Sequence, residues 1–174
     1  MVTSTGSDPI TSQIANNGAF NGQAISQGHW WLLITSLFIQ GNLLNILFSM
    51  ISLYLIGTIV ERFYGTFRWL LIYFLAGIIG ELVFYFFVPS AFIALGASVS
   101  IAGVFGALGA FFFVNRNQLG GIGAGMLQQW GFWLMLNVIL NVIQPGSPWQ
   151  AELGGLLAGI VLGIVLIPHN RRVL

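Results

Sequence analysis

The sequence predicts an all-α, polytopic membrane protein, a bundle of helices embedded in a bilayer, and three observations carry that prediction. Of 174 residues, 57% are hydrophobic and 5% charged, too few polar groups to cover a water-facing surface. The apolar residues gather into continuous runs of the roughly 17 to 25 residues that carry a helix across about 30 Å of hydrocarbon. Those runs are rich in Leu, Ile and Phe and punctuated by small residues, whereas a transmembrane barrel would show alternating segments of about ten residues.

Taken in order, residues 1–28 are polar, rich in Ser, Thr, Asn and Gly, and lack both a basic start and an apolar core. That argues against a signal peptide and predicts a poorly ordered tail. A short interfacial segment is expected at residues 29–39. Five spans follow, at about 42–60, 69–88, 94–114, 126–143 and 151–167. The segments "VERFYGTFR" and "VNRNQLGGIGAG" read as turns on one side, "VPSAFIALG" and "IQPGSPWQ" as turns with proline and glycine breaks on the other. The organisation is a tail at 1–28, a single membrane domain at 29–168 and a short terminal tail at 169–174. No long-period repeat marks an inverted-repeat transporter.

Every basic residue can be placed. Arg62 and Arg68 lie between spans one and two, Arg116 between three and four, and Arg171 and Arg172 after five, so all five fall on one side. The positive-inside rule makes that side cytoplasmic and the amino terminus extracytoplasmic. Trp30, Trp31 and Trp149 then sit at the outer interface, where indole rings favour the boundary between lipid and water. With no cysteine there is neither a disulfide framework nor a thiolate site. No metal or cofactor is expected, and no nucleic-acid partner; the expected partners are the bilayer and transmembrane helices of other proteins.

Small residues recur at helical spacing: Ser98, Ala102, Gly106 and Ala110 in span three, Gly155, Gly159 and Gly163 in span five. Two such faces can approach almost backbone to backbone. Packing alone accounts for the spacing. It does not account for the order of four segments: "HWWLLITSLFIQGNLLNILFSM", "GTIVERFYGTFR", "GASVSIAGVFGALGAFF" and "AELGGLLAGIVLG".

Taken together, these segments resemble the rhomboid family of intramembrane serine proteases, over most of the chain from about Gly28 to Gly163. The resemblance implies a serine–histidine dyad in which serine attacks the scissile carbonyl, histidine takes its proton and nearby polar groups hold the oxyanion. It puts Ser98 at the nucleophile position, within Gly96, Ala97, Ser98 and Val99, where Val99 replaces the second glycine of GxSG. Glu152 stands at the family histidine. Asn45 replaces the oxyanion-side histidine and Ser49 the asparagine one turn later, Gln40 stands at another family histidine, and Leu32 stands at the usual arginine. Glu61 and Arg62 keep the glutamate–arginine turn, and Gly155 and Gly159 the glycine-rich helix. The family core has six spans, and its first helix has no counterpart among the five here.

The departures fall on the chemistry and leave the frame. A carboxyl buried beside apolar helices without a cation stays neutral and donates a hydrogen bond instead of accepting a proton. Glu152 also lacks the two-nitrogen relay of imidazole. Neither His29, on the outer side, nor His169, about 17 residues and roughly 25 Å beyond Glu152, restores the dyad. Val99 is expected to crowd the serine. The expected function is therefore a rhomboid-like protein that binds transmembrane segments without cleaving them; the alternatives are an active endopeptidase using Ser98 and a small channel or transporter using Glu81 and Glu152. Glu81, in "GIIGELVFYFF", is an intramembrane acid with no cation at its depth, so it either serves function or hydrogen-bonds to a neighbouring helix or a wet cavity. Asn137, Asn141, Gln128 and Gln129 in span four raise the same question. Glu61 and Arg62 are expected to fix the inner turn.

Overall fold

The computed structural model describes residues 18–39, 43–87, 93–94, 97–143 and 148–168. Within them the chain runs through β1 (Phe20–Asn21), α1 (Gly22–Ser26) and α2 (Leu32–Thr35), which tightens into a 3-10 turn at Ser36–Phe38. α3 (Leu43–Ser52) passes through a wide π-turn at Leu53–Gly57 into α4 (Thr58–Tyr64). α5 (Thr66–Phe87), β2 (Ile93–Ala94), α6 (Ser98–Val114), α7 (Arg116–Ile143) and α8 (Trp149–Val165) complete the order. Among the described residues two helices are long and apolar enough to cross a membrane, Ile46–Tyr64 and Thr66–Phe87, and two shorter apolar helices accompany them, Ser98–Val114 and Trp149–Val165.

The centre is a three-helix contact of α5, α6 and α8, and glycine makes it possible. Gly159 lies against the carbonyl of Gly103, Gly106 against the carbonyl of Leu156, and Gly163 against the Cα of Ala107, so a methyl group at any of these glycines would strike backbone. Association without a hydrophobic driving force depends on such close van der Waals packing. The expected approach of spans three and five is therefore present, with one difference in rotation. Gly106 and Ala110 of the predicted stripe face α8, joined by Val99, Gly103 and Ala107; Ser98 and Ala102 lie beside that face and stay half-buried. Adjacent residues are about 100° apart around a helix, so in the first turns of α6 the contact face runs one position along from the predicted stripe.

A second cluster locks the arginine-bearing end of the bundle. Tyr64, 1% exposed, reaches the carbonyls of Ala107 (3.0 Å) and Gly163 (3.1 Å), and so fastens α4 to α6 and α8. Phe63 stacks on Phe111 at 4.1 Å between centroids. The turn between α4 and α5 is made at Gly65, whose φ of 83° is open to glycine and strained for other residues. The Thr66 hydroxyl donates to Glu61 across that turn at 2.7 Å, so the acid of the glutamate–arginine turn holds it through Thr66. α7 joins the bundle through Trp130, which stacks on Phe105 and donates its indole N–H to the Phe105 carbonyl at 2.9 Å. Gln128 and Gln129 are exposed and so is Asn137; the side chain of Asn141 lies outside the described residues.

Two expectations about boundaries change. Part of the stretch read as a poorly ordered tail has regular structure: Phe20–Asn21 pairs antiparallel with Ile93–Ala94, and Ile25 of α1 is fully buried. Ile25 stands with only Ala19, Phe20 and Ala24 among the polar and glycine residues of 18–28, too few to give a periodic signal. Correspondingly, Ala94 belongs to this β-pair, and the third helix starts at Ser98. The fourth helix begins earlier than its apolar run, at Arg116, and is broken at Gly120, where φ is 57° and ψ −141°.

Candidate functional site

Ser98 is the first residue of α6, and Glu152 lies in the first turn of α8. Ala97 precedes Ser98 as a buried residue whose carbonyl accepts the Ile101 N–H at 2.9 Å, so the serine sits where the chain enters its helix. On α8 the Pro148 carbonyl accepts the N–H groups of Ala151 and Glu152 at 2.9 and 3.2 Å and starts the helix in the same way. Because α6 and α8 meet at Val99 and Gly155, these two starts are side by side, and the Ser98 hydroxyl faces the Glu152 carboxyl within interacting distance. Both residues are half-buried.

Val99 does not turn toward this opening. It is 3% exposed, and its side chain fills the junction between Gly80 of α5 and Gly155 of α8, in a cluster with Ile25, Leu32, Leu33, Phe84 and Ala151. The crowding expected at Ser98 is therefore spent on helix packing, for the same 100° reason that shifts the small-residue stripe. Leu32, at the family arginine position, belongs to this apolar cluster and is 4% exposed.

Ser49 is half-buried on α3 one turn after Asn45, whose side chain lies outside the described residues, as do Gly96, Gln40 and His169. The contacts described thus bring Ser98 and Glu152 together. His29 is half-buried, and its ring lies 4.7 Å from that of Trp31. Gly155 and Gly159 serve the approach of α8 to α6. Among the described residues no group of three or more His, Cys, Asp or Glu could hold a metal ion.

Sequence reasoning singled out Glu81 and missed its partner. The Ser36 hydroxyl donates to Glu81 Oε1 at 2.5 Å; Ser36 is fully buried and Glu81 is 2% exposed. The second carboxyl oxygen, Oε2, has no hydrogen-bond partner among the described residues. This is the hydrogen bond to a neighbouring element that an intramembrane acid needs, and it ties the turn after α2 to the middle of α5. Nothing local announces it, since the partners are separated by 45 residues. Ser100, also fully buried, presents its hydroxyl beside Gly77; the Tyr73 hydroxyl lies near it, outside good hydrogen-bond geometry.

Chemically, a carboxyl facing a serine hydroxyl can do one of two things. Ionised, it can accept the serine proton; neutral, it holds the hydroxyl in a hydrogen bond and leaves it unactivated. Neither state reproduces imidazole, which takes a proton at one nitrogen while the other is oriented by a further group.

The family model of the Rhomboid domain matches residues 27–169. The chain belongs to the rhomboid family. It is 31% identical to the rhomboid-family protein YdcA of Bacillus subtilis over 148 residues, covering 85% of this chain and 73% of that protein. It is 32% identical to the rhomboid protease GluP of the same organism over 165 residues, 92% of this chain and 31% of that protein. RHOMBOID-like protein 6, mitochondrial, of Arabidopsis thaliana is 26% identical over 163 residues, 51% of its length. Rhomboid membership makes the chain an integral membrane protein acting within the bilayer, as composition and the long apolar helices require.

Proposed function

We propose that this rhomboid protein binds transmembrane segments without cleaving them. The observation that supports this reading is the pairing of Ser98 with Glu152, a serine at a helix start whose neighbour is a carboxyl in place of an imidazole. The frame that would receive a client is kept, including the glycine contact of α6 with α8, and what is altered is the group that must take the serine proton. The amino terminus is extracytoplasmic and the arginine-bearing turns are cytoplasmic, with the membrane domain at 29–168 between the two tails; Trp30 and Trp31, both 57% exposed, and Trp149 suit an outer interface. In this reading Asn45 and Ser49, at the oxyanion-side positions of the family, contribute polar groups beside Ser98 and Glu152.

The test is labelling of the purified protein with a fluorophosphonate, beside Ser98→Ala and Glu152→His. Silent wild type with label gained in Glu152→His supports a rhomboid frame disarmed at its base. Label on wild type that vanishes in Ser98→Ala overturns the proposal and makes Glu152 the candidate base of an active intramembrane endopeptidase, the reading that the protease relatives favour.

A further inference from the structure

The break in α7 coincides with a hollow that the Ser98 region does not use. Arg116 opens the helix, the chain leaves helical geometry at Gly120 and resumes it, and a hollow of about 660 Å³ there is lined by Arg116, Asn117, Gly120, Ala124, Leu127 and Gln128. One formal charge borders it, the Arg116 guanidinium, which lies 4.6 Å from the centre of the Phe113 ring. Asn117 and Gln128 are exposed and bring amide groups that can donate hydrogen bonds. The surroundings are apolar: Ile122 is 71% exposed, Phe113 53% and Met126 39%.

The hollow is at the end of the bundle that carries Arg62 and Arg68, since α4 ends, α5 begins, α6 ends and α7 begins there. A membrane protein presents such an end to lipid headgroups. A single exposed guanidinium holds a free phosphate weakly in water. A phosphate attached to acyl chains is different, because the exposed apolar residues beside the hollow can cover the chains while the guanidinium and amides meet the phosphate oxygens.

We propose that the hollow at the break in α7 seats the phosphodiester headgroup of an anionic phospholipid, held by Arg116 and flanked by Asn117 and Gln128. Each part has a separate task. The guanidinium supplies the charge and a forked pair of donors, Phe113 keeps it at the interface through its ring face, and Gly120 lines the space without a side chain.

The test uses the full chain in detergent micelles doped with equal amounts of phosphatidylglycerol and phosphatidylcholine, with retained lipid counted by native mass spectrometry. Wild type should retain phosphatidylglycerol in preference. Arg116→Gln should lower that preference about five-fold, Arg116→Lys should restore part of it, and Arg68→Gln should leave it unchanged. Asn117→Leu, at an exposed position, should weaken it less than Arg116→Gln and serves as the second variant should Arg116→Gln not fold. Equal retention of the two lipids, or an equal loss in Arg68→Gln, overturns the proposal, the latter by showing that the basic end attracts lipid without a seat. Soluble glycerol phosphate that displaces the lipid completely would show that the site reads free phosphate, and would overturn it as well.

Discussion

Two serine–glutamate pairs occupy this bundle, and they differ in what water can reach. Ser36 and Glu81 are sealed, at 0% and 2% exposed, and joined by a 2.5 Å hydrogen bond. Ser98 and Glu152 are half-buried at the adjoining starts of two helices. The side chains are the same, so their chemistry is decided by surroundings. One buried cluster, of Ile25, Leu32, Leu33, Phe84, Val99 and Ala151, includes Val99 and Ala151, the chain neighbours of Ser98 and Glu152. The sealed pair acts as a fastening, because a buried polar group left alone keeps its full desolvation cost. The half-open pair can exchange its partner for water, which a site that admits a ligand requires.

Breaking the sealed pair is expected to have the largest effect. Glu81→Ala leaves Ser36 without its acceptor and a void in α5, and should lower stability by about 3 kcal/mol, read as a shift in the unfolding midpoint in detergent. A loss below about 1 kcal/mol would mean that the pair does not fasten the turn after α2. Ser36→Ala should cost somewhat less, about 2 kcal/mol, and the double variant should fall short of the sum by about 1 kcal/mol or more. Strict additivity in that cycle would break the pairing. The half-open pair should respond least: Ser98→Ala should change stability by under about 1 kcal/mol. A loss as large as that of Glu81→Ala would show that Ser98 is a fastening too, and would remove the contrast on which its reading as a site depends.

How far these features are legible before folding differs from residue to residue. The bilayer, the helical class and the succession of spans follow from composition and run length, because continuous apolar runs satisfy their backbone in hydrocarbon as helices, where a barrel would need short alternating segments. Glu81 stands out by its type and depth alone. Ser98 and Glu152 are legible as candidate positions only through the rhomboid resemblance; nothing in a serine or a glutamate taken singly marks them.

The close approach of α6 and α8 can likewise be read from small residues at helical spacing. Which face makes it cannot, because periodicity records which residues share a side of a helix and leaves the rotation between two helices free. Tertiary structure alone decided that Val99 and Gly103 face inward while Ser98 stands at the edge. It alone paired Phe20–Asn21 with Ile93–Ala94 and set Ser36 against Glu81. Local sequence determined what each segment is, since helix and membrane preference act over neighbouring residues; contacts across 45 or more residues depend on how the segments pack, and leave no local trace.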